Sequence, residues 1–186
     1  MIYVVTRAIA QGPRAGLFSA AGVCLGILVH TALAAVGVGA ILLASAALFT
    51  VVKLLGAAYL AYLGLRMMFA PGAGLRIDRD SPHLAPWQLV RQGILSNVLN
   101  PKIALFFAAF LPQFVDAGSA HPARDLALLG VLYAAMALPI KSAVGLAAGA
   151  FAERVLRHAA ALDWVNRTCG AALLGLGVGL AAAHRS

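Results

Sequence analysis

The chain has 186 residues, 62% of them hydrophobic and only 11% charged, with a mean hydropathy of +0.92. A soluble domain is about half apolar and about a quarter charged, so a water-facing fold of this length is excluded and the bilayer is the solvent that fits. The net charge of +8 does not read as nucleic-acid binding: the basic residues lie between long apolar runs, as cytoplasmic loops beside anionic headgroups do.

A spanning helix needs about 20 mostly apolar residues. The stretch before Gln11 is apolar but only about half that length. It reads as the tail of a helix, and it lacks the basic start and clean apolar run of a secretory signal. Five spans follow, over 15–44, 46–65, 93–115, 126–151 and 168–183. The last is short and is expected to start nearer Asp163, which would cap it. Ionisable groups inside the spans are few: His30 in the first, Lys53 in the second, Lys102 in the third and Lys141 in the fourth. Cys24 and Cys169 sit in or beside apolar segments, without metal-ligand or disulfide spacing, and read as small apolar filler. The expected fold class is therefore all-α, a multi-pass transmembrane bundle forming a single domain over 1–186, with a linker at 70–90.

Orientation follows from the arginines. If the spans alternate, Arg7, Arg14, Arg66, Arg76, Arg79, Arg91, Arg154, Arg157 and Arg167 share one side, against Arg124 and Arg185 on the other. The positive-inside rule puts 1–14, 66–92 and 152–167 in the cytoplasm and the C-terminus outside. The pairs Gly22/Gly26, Gly145/Gly149 and Gly175/Gly179 are small-xxx-small patterns, expected where helix backbones approach closely.

The third span carries the chemistry. Within GILSNVLNPKIALFFAAFLPQF, the residues Asn97, Asn100, Pro101 and Lys102 interrupt an otherwise apolar helix. Pro101 removes a backbone donor and disfavours helix at Asn100. Irregular backbone at membrane depth is tolerated only inside protein or beside a watery cavity, and broken helices in transporters gather such groups around a substrate. The half-helix starting at Pro101 would direct its positive end at an anionic group, with Lys102 adding a full charge. Pro112 and Gln113 form a weaker second break. Lys53, Lys141 and His30 are candidates for coupling; Lys141 follows Pro139, which is expected to kink its helix. For His30 a packed, hydrogen-bonded neutral ring competes with a titrating one.

All six carboxylates lie outside the span cores, so no buried acid is available for a proton relay or a divalent metal. No phosphate loop, HExxH or Gly-x-Ser-x-Gly pattern occurs, and neither an enzymatic activity nor a cofactor is expected.

Four stretches resemble one family in order. They are RAIAQGPRAGL at 7–17, GVCLGILVH at 22–30, KLLGAAYLAYLGLRMM at 53–68 and GILSNVLNPKIALFFAAFLPQFV at 93–115, with its Asn-Pro-Lys and Pro-Gln-Phe signatures. Together they resemble the LysE/RhtB exporters over nearly the whole chain. The resemblance implies a bacterial inner-membrane carrier with two inverted three-helix halves. It would export amino acids or their derivatives, driven by protons, in contact with membrane lipid and open to homo-oligomerisation. Asn97, Asn100, Pro101 and Lys102 would bind substrate. The alternatives are a differently specific carrier, such as a cation exporter, or a non-transporting membrane subunit on the same scaffold.

Family members usually begin about one helix earlier, with a Pro-Gly-Pro break that pairs with Asn100-Pro101-Lys102. The expectation is a start upstream of Met1, with five full spans here preceded by the remnant of a first helix. The genomic reading frame tests it: an in-frame apolar segment containing Pro-Gly-Pro supports this expectation, and a stop codon there refutes it.

Overall fold

The computed structural model describes residues 1–38, 46–69, 83–116, 119–152 and 159–182. Those residues form seven α-helices, and no strand occurs among them. Helix α1 covers Ile2–Gln11 and α2 covers Pro13–Leu33, continuing through a π turn at Ala34–Val38. Helix α3 is Ala46–Phe69, α4 is Pro86–Val98 and α5 is Pro101–Ala109, followed by a 3-10 turn at Leu111–Phe114. Helix α6 is Pro122–Ala150 and α7 is Ala159–Ala182.

Among the described residues, 13–37 and 122–150 are each long and apolar enough to cross a membrane. The α4–α5 pair passes the same test as one span bent by 60°. Helices α3 and α7, at 24 residues each, are also long enough for a hydrocarbon core of about 30 Å. Their described parts carry the apolar runs Leu54–Arg66 and Gly170–Gly179. The chain is thus an all-α membrane helix bundle.

Two boundaries differ from the sequence expectation. Helix α4 starts at Pro86, so residues 86–90, counted above as linker, are helical. Pro86 suits a first helical position, where the missing N–H costs nothing, and the Gln88 side chain accepts the Ala85 N–H at 2.8 Å. Helix α7 starts at Ala159, which leaves Asp163 inside the helix instead of at its cap. Most of the linker, residues 70–82, lies outside the described residues. Pro139 stands inside α6, which is assigned as one helix without a break.

The α1–α2 hairpin turns at Gly12, whose φ of 88° is a conformation that residues with a Cβ rarely adopt. Beyond it, helix pairing is set by small residues. A Cβ on Gly16 would lie 2.9 Å from the Gly145 backbone, and one on Gly149 would lie 2.5 Å from the Pro13 nitrogen. Gly130 meets the Thr31 side chain further along. These contacts make α2 and α6 antiparallel. Gly22 against Val90 and Gly26 against Asn97 make α2 and α4 parallel. Gly64 against Gly170 and Gly177 against Ala61 make α3 and α7 antiparallel. Helices α2 and α3 therefore run opposite to α6 and α7, respectively. Phe106 on α5 packs on the core around α2 and α6 and also on the Ala57/Leu60 cluster of α3, so the two groups of helices meet there.

Two of the three glycine pairs behave as their spacing predicts. Gly175 and Gly179 do not: a Cβ on either would meet nothing within 4 Å, and Gly177 takes the close contact with α3 instead. Glycines 175, 177 and 179 alternate with Leu176 and Val178, so spacing could not tell which face of α7 turns inward.

Overpacking a close helix contact costs about 1–3 kcal/mol. Gly145→Leu is expected to lower the Tm of the detergent-purified protein by several degrees, whereas Gly175→Leu leaves it within about one degree. Equal Tm values for the two variants would contradict this packing.

Candidate functional site

The break between α4 and α5 begins with a missing donor. In an unbroken helix the Asn97 carbonyl would accept the N–H of residue 101, but Pro101 has none. Two other groups serve that carbonyl. The Asn100 N–H reaches it at 3.0 Å, and His30 Nε2 on α2 lies 3.1 Å away. Opposite a carbonyl oxygen the ring nitrogen carries the proton and donates. His30 is buried and packed where it makes this contact. It stacks on Phe107 with ring centroids 5.9 Å apart, and Phe107 meets Tyr133 of α6 edge-on at 5.6 Å.

The second half-helix is capped by Asn100. Its backbone is extended, with φ −87° and ψ 105°, and its Oδ1 accepts the Lys102 N–H at 3.0 Å. This is the usual device for a first-turn donor without a helical partner. Pro101 fits the first helical position for the reason that breaks the preceding helix. Pro112 opens the 3-10 turn that includes Gln113, so the weaker second break is real too.

Asn97 is 2% exposed, and no described residue donates to its Oδ1. Its side chain has room because position 26 on α2 is glycine: a Cβ there would lie 2.6 Å from the Asn97 Cβ and 3.1 Å from Oδ1. A buried polar atom without a partner costs about 1–3 kcal/mol and calls for an explanation.

The structure brings Asn97, Asn100, Pro101 and His30 together at the break, with Lys102 half-buried in the first turn of α5. Lys141 is elsewhere. It is half-buried and lies roughly 16 Å along α6 from Gly130, the residue level with Thr31 beside His30. It stands within electrostatic range of Cys24 on α2. Lys53 belongs to α3, but its side chain lies outside the described residues. Among the described residues no three His, Cys, Asp or Glu side chains gather as a metal site.

Sequence reasoning missed two features. Phe107 stacks on His30 and Tyr133 meets Phe107, and nothing in an apolar run marks which aromatics do so. A polar bridge links α1 to α4: the Tyr3 hydroxyl donates to the Leu89 carbonyl at 2.9 Å and Arg7 Nη2 to Gln92 Oε1 at 3.1 Å. Gln92 is the one signal that could have drawn attention, being an amide beside the apolar run of the third span. A separate groove of about 850 Å³ lies toward the Gly12 end, between α2, α4 and α6, with Arg14, His83 and Ser142 on its walls. Asn97 and the broken backbone do not line it.

The chain matches the LysE type translocator family over residues 1–184. It is 35% identical to an uncharacterized membrane protein of Pseudomonas aeruginosa, across 100% of this chain and 88% of the relative. A second uncharacterized membrane protein, from Vibrio cholerae, is 31% identical over 96% and 86% of the two chains. A leucine efflux protein of an Enterobacter species is 27% identical over 98% and 87%. No solved structure matches the chain significantly.

Removal of a helix N-cap costs about 0.5–2 kcal/mol. Asn100→Ala is expected to lower Tm in detergent by several degrees, while Asn100→Asp, which keeps an acceptor for the Lys102 N–H, recovers most of the loss. An unchanged Tm for Asn100→Ala would show that the cap is dispensable.

Proposed function

Because the chain belongs to the LysE type translocator family, we propose that it is a secondary exporter of amino acids or amino-acid derivatives across the bacterial inner membrane. The observation that carries the reading is Asn97: a buried amide oxygen without a described partner, in the middle of a span broken at Pro101. A soluble-side explanation does not apply at that depth, and a group left unpaired there is well suited to a passing ligand. The similarity to leucine efflux proteins supports the same class of cargo.

The chemistry is complementary to a zwitterion. The substrate ammonium donates to Asn97 Oδ1. The carboxylate meets Lys102 and the positive end of α5, which Asn100 and Pro101 hold in place. Asn97, Asn100, Pro101 and Lys102 thus act as one binding segment. Substrate access requires the α2–α4 seam at Gly26 to loosen, as alternating access would provide.

The proton gradient is the proposed drive. Of the three coupling candidates, His30 has the strongest claim because it hydrogen-bonds the broken segment itself; Lys141 and Lys53 follow. The basic segments 1–14, 66–92 and 152–167 face the cytoplasm and the C-terminus faces out.

Export from loaded cells or proteoliposomes, assayed with a panel of amino acids, tests the binding segment. Lys102→Ala is expected to abolish export and leave membrane insertion intact. Asn97→Leu is expected to lose export while keeping or raising Tm, because the unpaired amide is replaced by an apolar group of similar size. Normal efflux from either variant refutes its role.

A further inference from the structure

The groove near the Gly12 end has no part in the substrate reading, and its lining is graded. At its outer end stand Gln11, at the end of α1, Arg14, at the start of α2, and His83, just before α4. Deeper lie Leu17, Phe18 and Leu138. On α2, Phe18 is one turn and Ala21 two turns further in than Arg14, roughly 6 and 10 Å along the axis. Among the described residues no acidic side chain lines it. Phe18 and Leu138 are 40% and 41% exposed, so the groove opens sideways, toward where lipid would be, instead of into the bundle.

Two helix starts add to the Arg14 charge. Helices α2 and α4 are parallel neighbours, so their N-termini lie at the same end, beside Arg14 and His83. Each macrodipole places partial positive charge there. A soluble anion would be matched by the outer end but not by the apolar walls. A neutral lipid would be matched by the walls but not by the charge. One molecule with both parts fits.

We propose that this groove is a binding site for an anionic phospholipid, its phosphate held by Arg14 and His83 and its upper acyl chain by Phe18, Leu17 and Leu138. Basic pockets between spanning helices are built to this plan. The occupied groove would tie α2, α4 and α6 together roughly two to three turns from the helix break. The proposal rests on the groove and stands whether or not the chain exports amino acids.

The test uses the full chain, purified in a neutral detergent and examined by native mass spectrometry with phosphatidylglycerol or phosphatidylcholine of identical chains. Retention of phosphatidylglycerol is expected to exceed that of phosphatidylcholine about tenfold. An Arg14→Gln/His83→Gln double variant is expected to lose that preference. Arg124→Gln, at the opposite end of the bundle, is expected to keep it. Equal retention of the two lipids, or an undiminished preference in the double variant, would overturn the site. So would inorganic phosphate that raises Tm as much as phosphatidylglycerol does, since the ligand would then be a free anion. If the double variant does not fold, the unaltered groove is read directly. Chain-brominated phosphatidylglycerol should quench Trp87, beside Pro86 at the groove, more than brominated phosphatidylcholine does in a Trp164→Phe background. Equal quenching is again a refutation.

Discussion

A helix in lipid has no water to pair with its backbone, so each carbonyl that loses its donor must find another within the protein. Pro101 creates that situation at the Asn97 carbonyl, and the answer comes from a different helix: the His30 imidazole of α2. The interaction ties the broken span to the bundle at the point where the span is weakest. Asn100 completes the repair by serving two ends at once. Its N–H turns back to the Asn97 carbonyl, and its side chain caps α5. The break is thus a held geometry, with the Asn97 carbonyl and the first N–H groups of α5 accounted for.

What the repair leaves over is the side chain of Asn97. Gly26 admits it into the α2–α4 seam, and no described residue pairs its oxygen. Leaving such an atom unsatisfied costs stability, and a leucine would avoid the cost. Conformational stability alone therefore does not account for asparagine here, and this is why the site reading rests on it more than on Lys102. A lysine half-buried near a helix start can reach headgroups with its long stem; a fully buried amide cannot.

The glycine contacts make the arrangement possible. Apolar side chains gain little by leaving lipid for another helix, so close backbone approach has to supply the attraction. The contacts at Gly16/Gly145, Gly22/Val90 and Gly149/Pro13 bring α4 and α6 onto α2. This places α2 at the centre, with His30 directed at α4, and leaves a groove where α4 and α6 diverge near the helix starts. The α1–α4 contact is of another kind, made through Tyr3 and Arg7 to the Leu89 carbonyl and Gln92.

The sequence by itself determined the membrane class, the number of long apolar segments and the position of the break. Each of these is a local property: apolar length and the missing proline N–H can be read residue by residue. It also marked His30, Asn97, Asn100 and Lys102 as misfits, because a polar group is conspicuous in an apolar run. Only the tertiary structure decided which misfits meet. His30 and Asn97 are 67 positions apart and touch because glycines 22 and 26 seat α4 on α2. Lys141, equally conspicuous in sequence, falls well away from the break. Asn100 proved to be a cap, and Gly177 displaced Gly175 and Gly179 from the α3 seam, because helix rotation is set by packing against neighbours, which apolar spacing does not encode.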